Sequence, residues 1–151
     1  MDRFKSVDEI LNFAIDGEVT SVQFYMDLAR RAQTQDMKKV FEDFAREEMG
    51  HKAKLQEIKH SKWAITADED VPDLKIADYV VDVEPKPDMS YKDALVVAMK
   101  KEKAAYRLYL DLAAVAEAEE LTETFLWLAQ EEAKHKLRFE IEYDDEVLKD
   151  N

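Results

Sequence analysis

Cysteine is absent from this 151-residue chain. That excludes disulfides, a thiolate nucleophile, an iron–sulfur cluster and a four-cysteine rubredoxin-type centre. Glycine occurs twice and proline three times, and all the prolines (Pro72, Pro85, Pro87) fall between residues 61 and 89. Two long stretches therefore lack the strongest helix breaker, which points to an all-α fold. No apolar run approaches the ~20 residues of a transmembrane span, and residues 1–10 contain no stretch of signal-peptide type, so a cytoplasmic protein is expected. Basic residues are outnumbered, 22 Lys and Arg against 35 Asp and Glu. The net charge of −13 argues against a nucleic acid or an anionic membrane as partner.

Hydrophobic residues make up 46% of the chain, enough to bury the core of one domain. The pattern within that domain is a duplication. Glu48-x-x-His51 and Glu132-x-x-His135 lie 84 residues apart, and each follows a lone glutamate, Glu18 or Glu102, by 30 residues from Glu to Glu. Without gaps, the same offset pairs Tyr25 with Tyr109, Leu28 with Leu112, Phe41 with Phe125, Ala45 with Ala129 and Lys52 with Lys136. It also pairs two capping-box-like helix starts, Ser6-Val-Asp-Glu9 and Ser90-Tyr-Lys-Asp93. A repeat of this length predicts two helical hairpins.

The interval of 30 has a geometric meaning. Its midpoints are residues 33 and 117. If each is a tight turn, the paired glutamates face one another at the same height, about 22 Å from the hairpin tip at 1.5 Å per residue. Within each E-x-x-H, three residues turn the helix by about 300°, so both side chains leave one face. Four carboxylates and two imidazoles on four helices form the ligand set of a dinuclear carboxylate metal site. Taken singly, any of these glutamates reads as a solvated helix residue. The duplication, the shared offset, the matched intervals and the midpoint turns together reverse that reading.

Apolar periodicity predicts helices over about 6–33, 36–60, 91–117 and 121–148. They are grouped as hairpins 6–60 and 90–148 joined by a crossover at 61–89, with a short helix or extended piece at 74–81. Short hairpin turns with one long connection predict a four-helix bundle with a single crossover. Tyr25 and Tyr109 fall seven residues after Glu18 and Glu102 and return to the same face, so each can bond a carboxylate or pack in the core. Glu47 and Glu131 lie about 100° round from the E-x-x-H glutamates, either beside the site or solvated. Asp27 and Asp111 are expected on the surface. Glu57-x-x-His60 is a chance third motif, since its counterpart position is Asp144. Gly17 and Gly50 directly precede Glu18 and His51, and the second half has Lys101 and Lys134 there. They serve either close helix approach or room for substrate.

On these residues the chain resembles the rubrerythrin branch of the ferritin-like superfamily. The segments Gly-Glu18, Glu-Glu48-Met-Gly-His51-Lys and Glu-Glu132-Ala-Lys-His135-Lys are similar to that family's ligand segments, and Tyr25 and Tyr109 to the tyrosines beside its metals. The resemblance implies two irons cycling between ferrous and ferric, held by Glu18, Glu48, His51, Glu102, Glu132 and His135, with Glu48 and Glu132 as bridges. It also implies a catalytic role for Tyr25 and Tyr109. Manganese and zinc are the alternative metals. The implied activity is reduction of peroxide or dioxygen with electrons from a small redox protein. With no rubredoxin-like domain in this chain, the donor is expected to be separate. A homodimer is the expected assembly. Rubrerythrins also carry a glutamate three residues after the third-helix ligand, where this chain has Ala105. That leaves six protein ligands. Ferroxidase-linked iron binding or storage is the alternative function, and a metal-free structural bundle a third.

Overall fold

The computed structural model describes residues 3–61, 74–81 and 88–150. The described residues form four α-helices: α1 (Val7–Arg31), α2 (Gln35–His60), α3 (Tyr91–Val115) and α4 (Glu119–Asp150). A one-turn 3₁₀ helix, Ile76–Asp78, lies in the connection between α2 and α3.

Local chemistry sets the ends. Ser6 and Ser90 cap α1 and α3, accepting the backbone N–H of Glu9 at 3.0 Å and of Asp93 at 3.1 Å. Thr34 caps α2 in the same way, accepting from the Met37 N–H at 3.1 Å, so α2 starts at Gln35 rather than Asp36. Extended backbone at Ala32 and Ala116 stops α1 and α3 two residues short of the predicted ends. Helix α4 starts two residues early, and Glu119 and Glu120 in its first turn complement the positive end of the helix dipole. The turns are thus residues 32–34 and 116–118, centred on the midpoints of the two glutamate intervals.

Each hairpin packs along its whole length, and between hairpins α1 meets α3. The core divides into two apolar clusters at opposite ends of the bundle. One holds Ile10 and Leu11 of α1, Leu55 of α2, Leu112 of α3 and Phe125 of α4. The other holds Leu28, Phe41, Leu95 and Phe139. Residues from the start of α1 therefore meet the end of α2, the end of α3 and the start of α4. The α1/α3 and α2/α4 pairs run antiparallel, and the connection must return the chain along the whole bundle, about 38 Å for a 25-residue helix. Repeat-mates are buried alike: Leu28 and Leu112, and Phe41 and Phe125, are all inaccessible to solvent. Burying each such side chain contributes about 1.5–3 kcal/mol.

The crossover is pinned near its middle. The Phe4 N–H donates to the Leu74 carbonyl at 3.0 Å, and Arg3 bridges Lys75. The Tyr79 hydroxyl donates to Asp111 at 2.6 Å. Asp111 is therefore a half-buried acceptor and not the free surface group its sequence position suggested. Leu74–Val81 combines both alternatives, an extended start and a single 3₁₀ turn. The acidic middle of the crossover, 67–70, lies outside the described residues. No helix among the described residues is long and apolar enough to cross a membrane.

Candidate metal centre

Between the two apolar clusters sit Glu18 from α1, Glu48 and His51 from α2, Glu102 from α3, and Glu132 and His135 from α4. All six are at most 3% exposed. Their donor atoms form two groups, each drawn within 4.8 Å: Glu18, Glu48, His51 and Glu132, and Glu48, Glu102, Glu132 and His135. Glu48 and Glu132 belong to both groups. The arrangement follows the repeat: His51 Nδ1 lies 2.8 Å from Glu132, and His135 Nδ1 lies 2.8 Å from Glu48, each reaching across to the other hairpin. Glu18 and Glu102 stand 3.7 and 3.8 Å from the imidazole Nδ1 of their own hairpins.

These contacts are close without being aligned as hydrogen bonds. Among the described residues, ten buried side-chain polar atoms lack a hydrogen-bond partner, and nine of them belong to these six side chains. A buried polar atom without a partner costs about 1–3 kcal/mol, and more if charged. Eight of the nine, all but the outward-facing His51 Nε2, converge on one place and are what a metal pair would satisfy. The donor set of four carboxylates and two imidazoles suits that role.

Without a metal the cluster must be stabilised by protons. Burial and the neighbouring Glu102 and Glu48 charges push the Glu132 carboxyl well above its ordinary range. Burial alone would lower His135, but the close carboxylates of Glu102 and Glu48 outweigh it and push the imidazole up to about 10. Burial likewise opposes ionisation of Glu48, yet the close imidazoles of His135 and His51 hold its pKa below the usual value.

The surroundings are less symmetric than the donors. The outer nitrogen of His135, Nε2, meets Glu47 at 2.9 Å, so an N–H donated there leaves Nδ1 as a lone pair facing the cluster. The equivalent contact, His51 Nε2 to Glu131, is longer at 4.0 Å, and Lys134 holds Glu131 at 2.8 Å. Phe44 stacks on His135 with ring centroids 3.9 Å apart, whereas Trp127 meets His51 edge-on at 5.4 Å. The repeat-mates of Phe44 and Trp127 are Leu128 and Asp43. Those breaks in the repeat are the only sequence signal for either contact.

The two tyrosines also differ. The Tyr109 hydroxyl donates to Glu18 in a short bond across the hairpins. Burial, with the charges of Glu132, Glu48 and Glu102, raises its pKa well above 10. Tyr25 is fully buried, its ring against Phe139 at 5.2 Å and His135 at 6.3 Å, and its hydroxyl has no hydrogen-bond partner. The same-helix pairing of Tyr25 with Glu18 does not occur, because α3 lies antiparallel beside α1 and brings Tyr109 to that carboxylate.

Neither glycine marks a close helix approach, since a Cβ at Gly17 or Gly50 would meet nothing within 4 Å. Both instead border openings to the cluster. A cavity of about 640 Å³ between α1 and α3 includes Gly17 and reaches Glu18, Tyr109 and Glu132. A second, about 740 Å³, between α2 and α4 includes Gly50 and reaches His51. His60 is exposed at the end of α2, apart from the cluster.

Two solved structures share this architecture. A ferritin-like di-iron-carboxylate protein from Thermotoga maritima, 22% identical, superposes with a TM-score of 0.80 over 97% of this chain and 99% of that one. At that identity it establishes the fold, a ferritin-like four-helix bundle. A hypothetical protein from Pyrococcus furiosus, 25% identical, gives a TM-score of 0.71 over 92% of this chain and 89% of that one. No curated protein matches the chain. The family model described as Rubrerythrin matches residues 9–90 and 93–150. It takes in both hairpins and every residue of the six-membered cluster, and the chain belongs to the rubrerythrin family.

Proposed function

We propose that this protein is a di-iron oxidoreductase that reduces peroxide or dioxygen with electrons from a separate redox protein. The observation that carries this reading is the sharing of Glu48 and Glu132 between two donor groups within one buried, polar layer of the bundle. Glu18 and His51 would hold one ion and Glu102 and His135 the other, with Glu48 and Glu132 contacting both. The domain would be residues 1–151, with hairpins 6–60 and 90–148 joined by the crossover at 61–89. When bound, the iron pair supplies two electrons to an O–O bond.

The chain's own residues orient and insulate that chemistry. Tyr109 fixes the Glu18 carboxylate, and Glu47 fixes the ring proton of His135. Phe44 stacks over His135 and keeps water from that imidazole, which strengthens the electrostatic interactions around it. These 151 residues contain no cysteine, so no cysteine-held electron carrier lies among them, and in this reading a separate redox protein is the donor.

The test is to load the protein with ferrous iron under argon, add hydrogen peroxide or air, and follow oxidation by absorbance. Two oxidising equivalents consumed per two irons, with rereduction by a redox protein and no mineral, supports the reading. Continued uptake of ferrous iron with a ferric mineral as product would replace it with iron storage. Absence of metal binding would end both.

A further inference from the structure

The opening between α1 and α3 is far larger than hydrogen peroxide or dioxygen requires. A water-sized molecule occupies about 30 Å³, whereas sites for drug-sized ligands run to about 300–1,000 Å³. This cavity holds about 640 Å³. Phe13, Val80, Val81, Ala105 and Leu108 supply apolar wall. Ala14, Gly17, Ala104 and Ala105 keep it wide, and a side chain at Gly17 would project into open space. Its buried polar groups are Glu18, Tyr109 and Glu132, which belong to the cluster or are bonded to it, and Ser21, while Lys101 is half-buried and Asp16 and Thr20 are exposed. The other opening is different in kind. Around His51 it is bordered by Glu47, Glu120, Glu123 and Glu131, which favour a cation or water over an apolar molecule.

We propose that the peroxide this centre takes is an organic hydroperoxide, whose apolar body lies in the cavity between α1 and α3 with its O–O group at Glu18 and Glu132. The inference rests on the peroxide-reducing reading above. In the step, R–O–O–H takes up two electrons and two protons and gives R–O–H and water. The O–O bond breaks and the hydroperoxide is reduced. A ferrous pair held by the cluster would supply the two electrons, one per iron, the redox partner would restore them, and the protons would come from solvent. An apolar body of the size of a phenylpropyl group leaves water for a fitted apolar wall, a gain that hydrogen peroxide cannot make.

The probes are cumene hydroperoxide and the alcohol it yields, 2-phenyl-2-propanol. Calorimetric titration of the reduced, iron-loaded protein under argon should show saturable binding of the alcohol. Ala105→Phe and Gly17→Leu, which fill the cavity from opposite helices, should each weaken that binding at least tenfold. The ratio of cumene hydroperoxide to hydrogen peroxide turnover should fall at least tenfold in both variants. Should one variant fail to fold, the other, together with wild-type binding, decides the matter. No saturable alcohol binding to the wild type, or ratios unmoved in the folded variants, overturns the inference even if hydrogen peroxide is reduced well. Alcohol binding without turnover of either peroxide overturns the peroxidase reading, and the hydroperoxide assignment with it.

Discussion

Removing the metals should destabilise the bundle far more than losing a surface ligand would. The cluster lies between the two halves of the apolar core, so four carboxylates and two imidazoles must either hold ions or share protons in a buried layer. An ion that binds only the folded chain at about a hundredfold its dissociation constant adds about 2.7 kcal/mol, so two add about 5 kcal/mol. For a chain of this length each kcal/mol moves the melting midpoint by about 2–4 °C. Chelation should therefore lower the wild-type midpoint by about 10–20 °C in scanning calorimetry. Glu132→Gln supplies the internal comparison. It removes a carboxylate shared by both donor groups, so it should hold metal poorly and show little change on chelation. It also removes one of four crowded carboxylates, so its metal-free form should melt no lower than metal-free wild type. An unmoved wild-type midpoint on chelation would refute the reasoning. So would a Glu132→Gln protein that falls as far as the wild type.

Three further outcomes follow from named contacts. Tyr109→Phe leaves the buried Glu18 acceptor unsatisfied and should cost about 1–3 kcal/mol in urea denaturation, while Tyr25→Phe, which removes an unpartnered hydroxyl, should cost much less. Glu47→Ala takes away the acceptor for His135 Nε2 and should weaken metal binding by about 10–100-fold, read by competition with a chelator of known affinity. His51→Ala and His135→Ala should each lower the bound metal towards one ion per chain, measured by elemental analysis, because each imidazole belongs to only one donor group.

The glutamate and histidine positions were legible in the sequence because helical geometry is rigid. A fixed interval about a tight turn sets two side chains at one height, and residues 33 and 117 do lie at the centres of the turns. The paired burial of Phe41 with Phe125 and Leu28 with Leu112 has the same origin. What escaped the sequence depends on how the hairpins sit against one another. The bond from Tyr109 to Glu18 requires α3 beside α1, which no spacing within α1 encodes. The Tyr79–Asp111 bond requires Tyr79 of the crossover to lie beside α3, which no spacing within either segment encodes. The glycines were ambiguous because a missing side chain reads alike in a tight contact and in an open channel. Only the empty space around Gly17 and Gly50 rules out the tight contact. The Thr34 cap was hidden in a polar turn, Gln33-Thr34-Gln35, where a hydroxyl is also ordinary loop chemistry.

In the reading proposed above, Glu48 and Glu132 would be shared by two iron ions. Anomalous diffraction from crystals of the iron-loaded protein, collected on either side of the iron absorption edge, tests it most directly. The account predicts two peaks in each chain, one among Glu18, Glu48, His51 and Glu132 and one among Glu48, Glu102, Glu132 and His135. Peaks elsewhere in the chain, or none within this cluster, would contradict it.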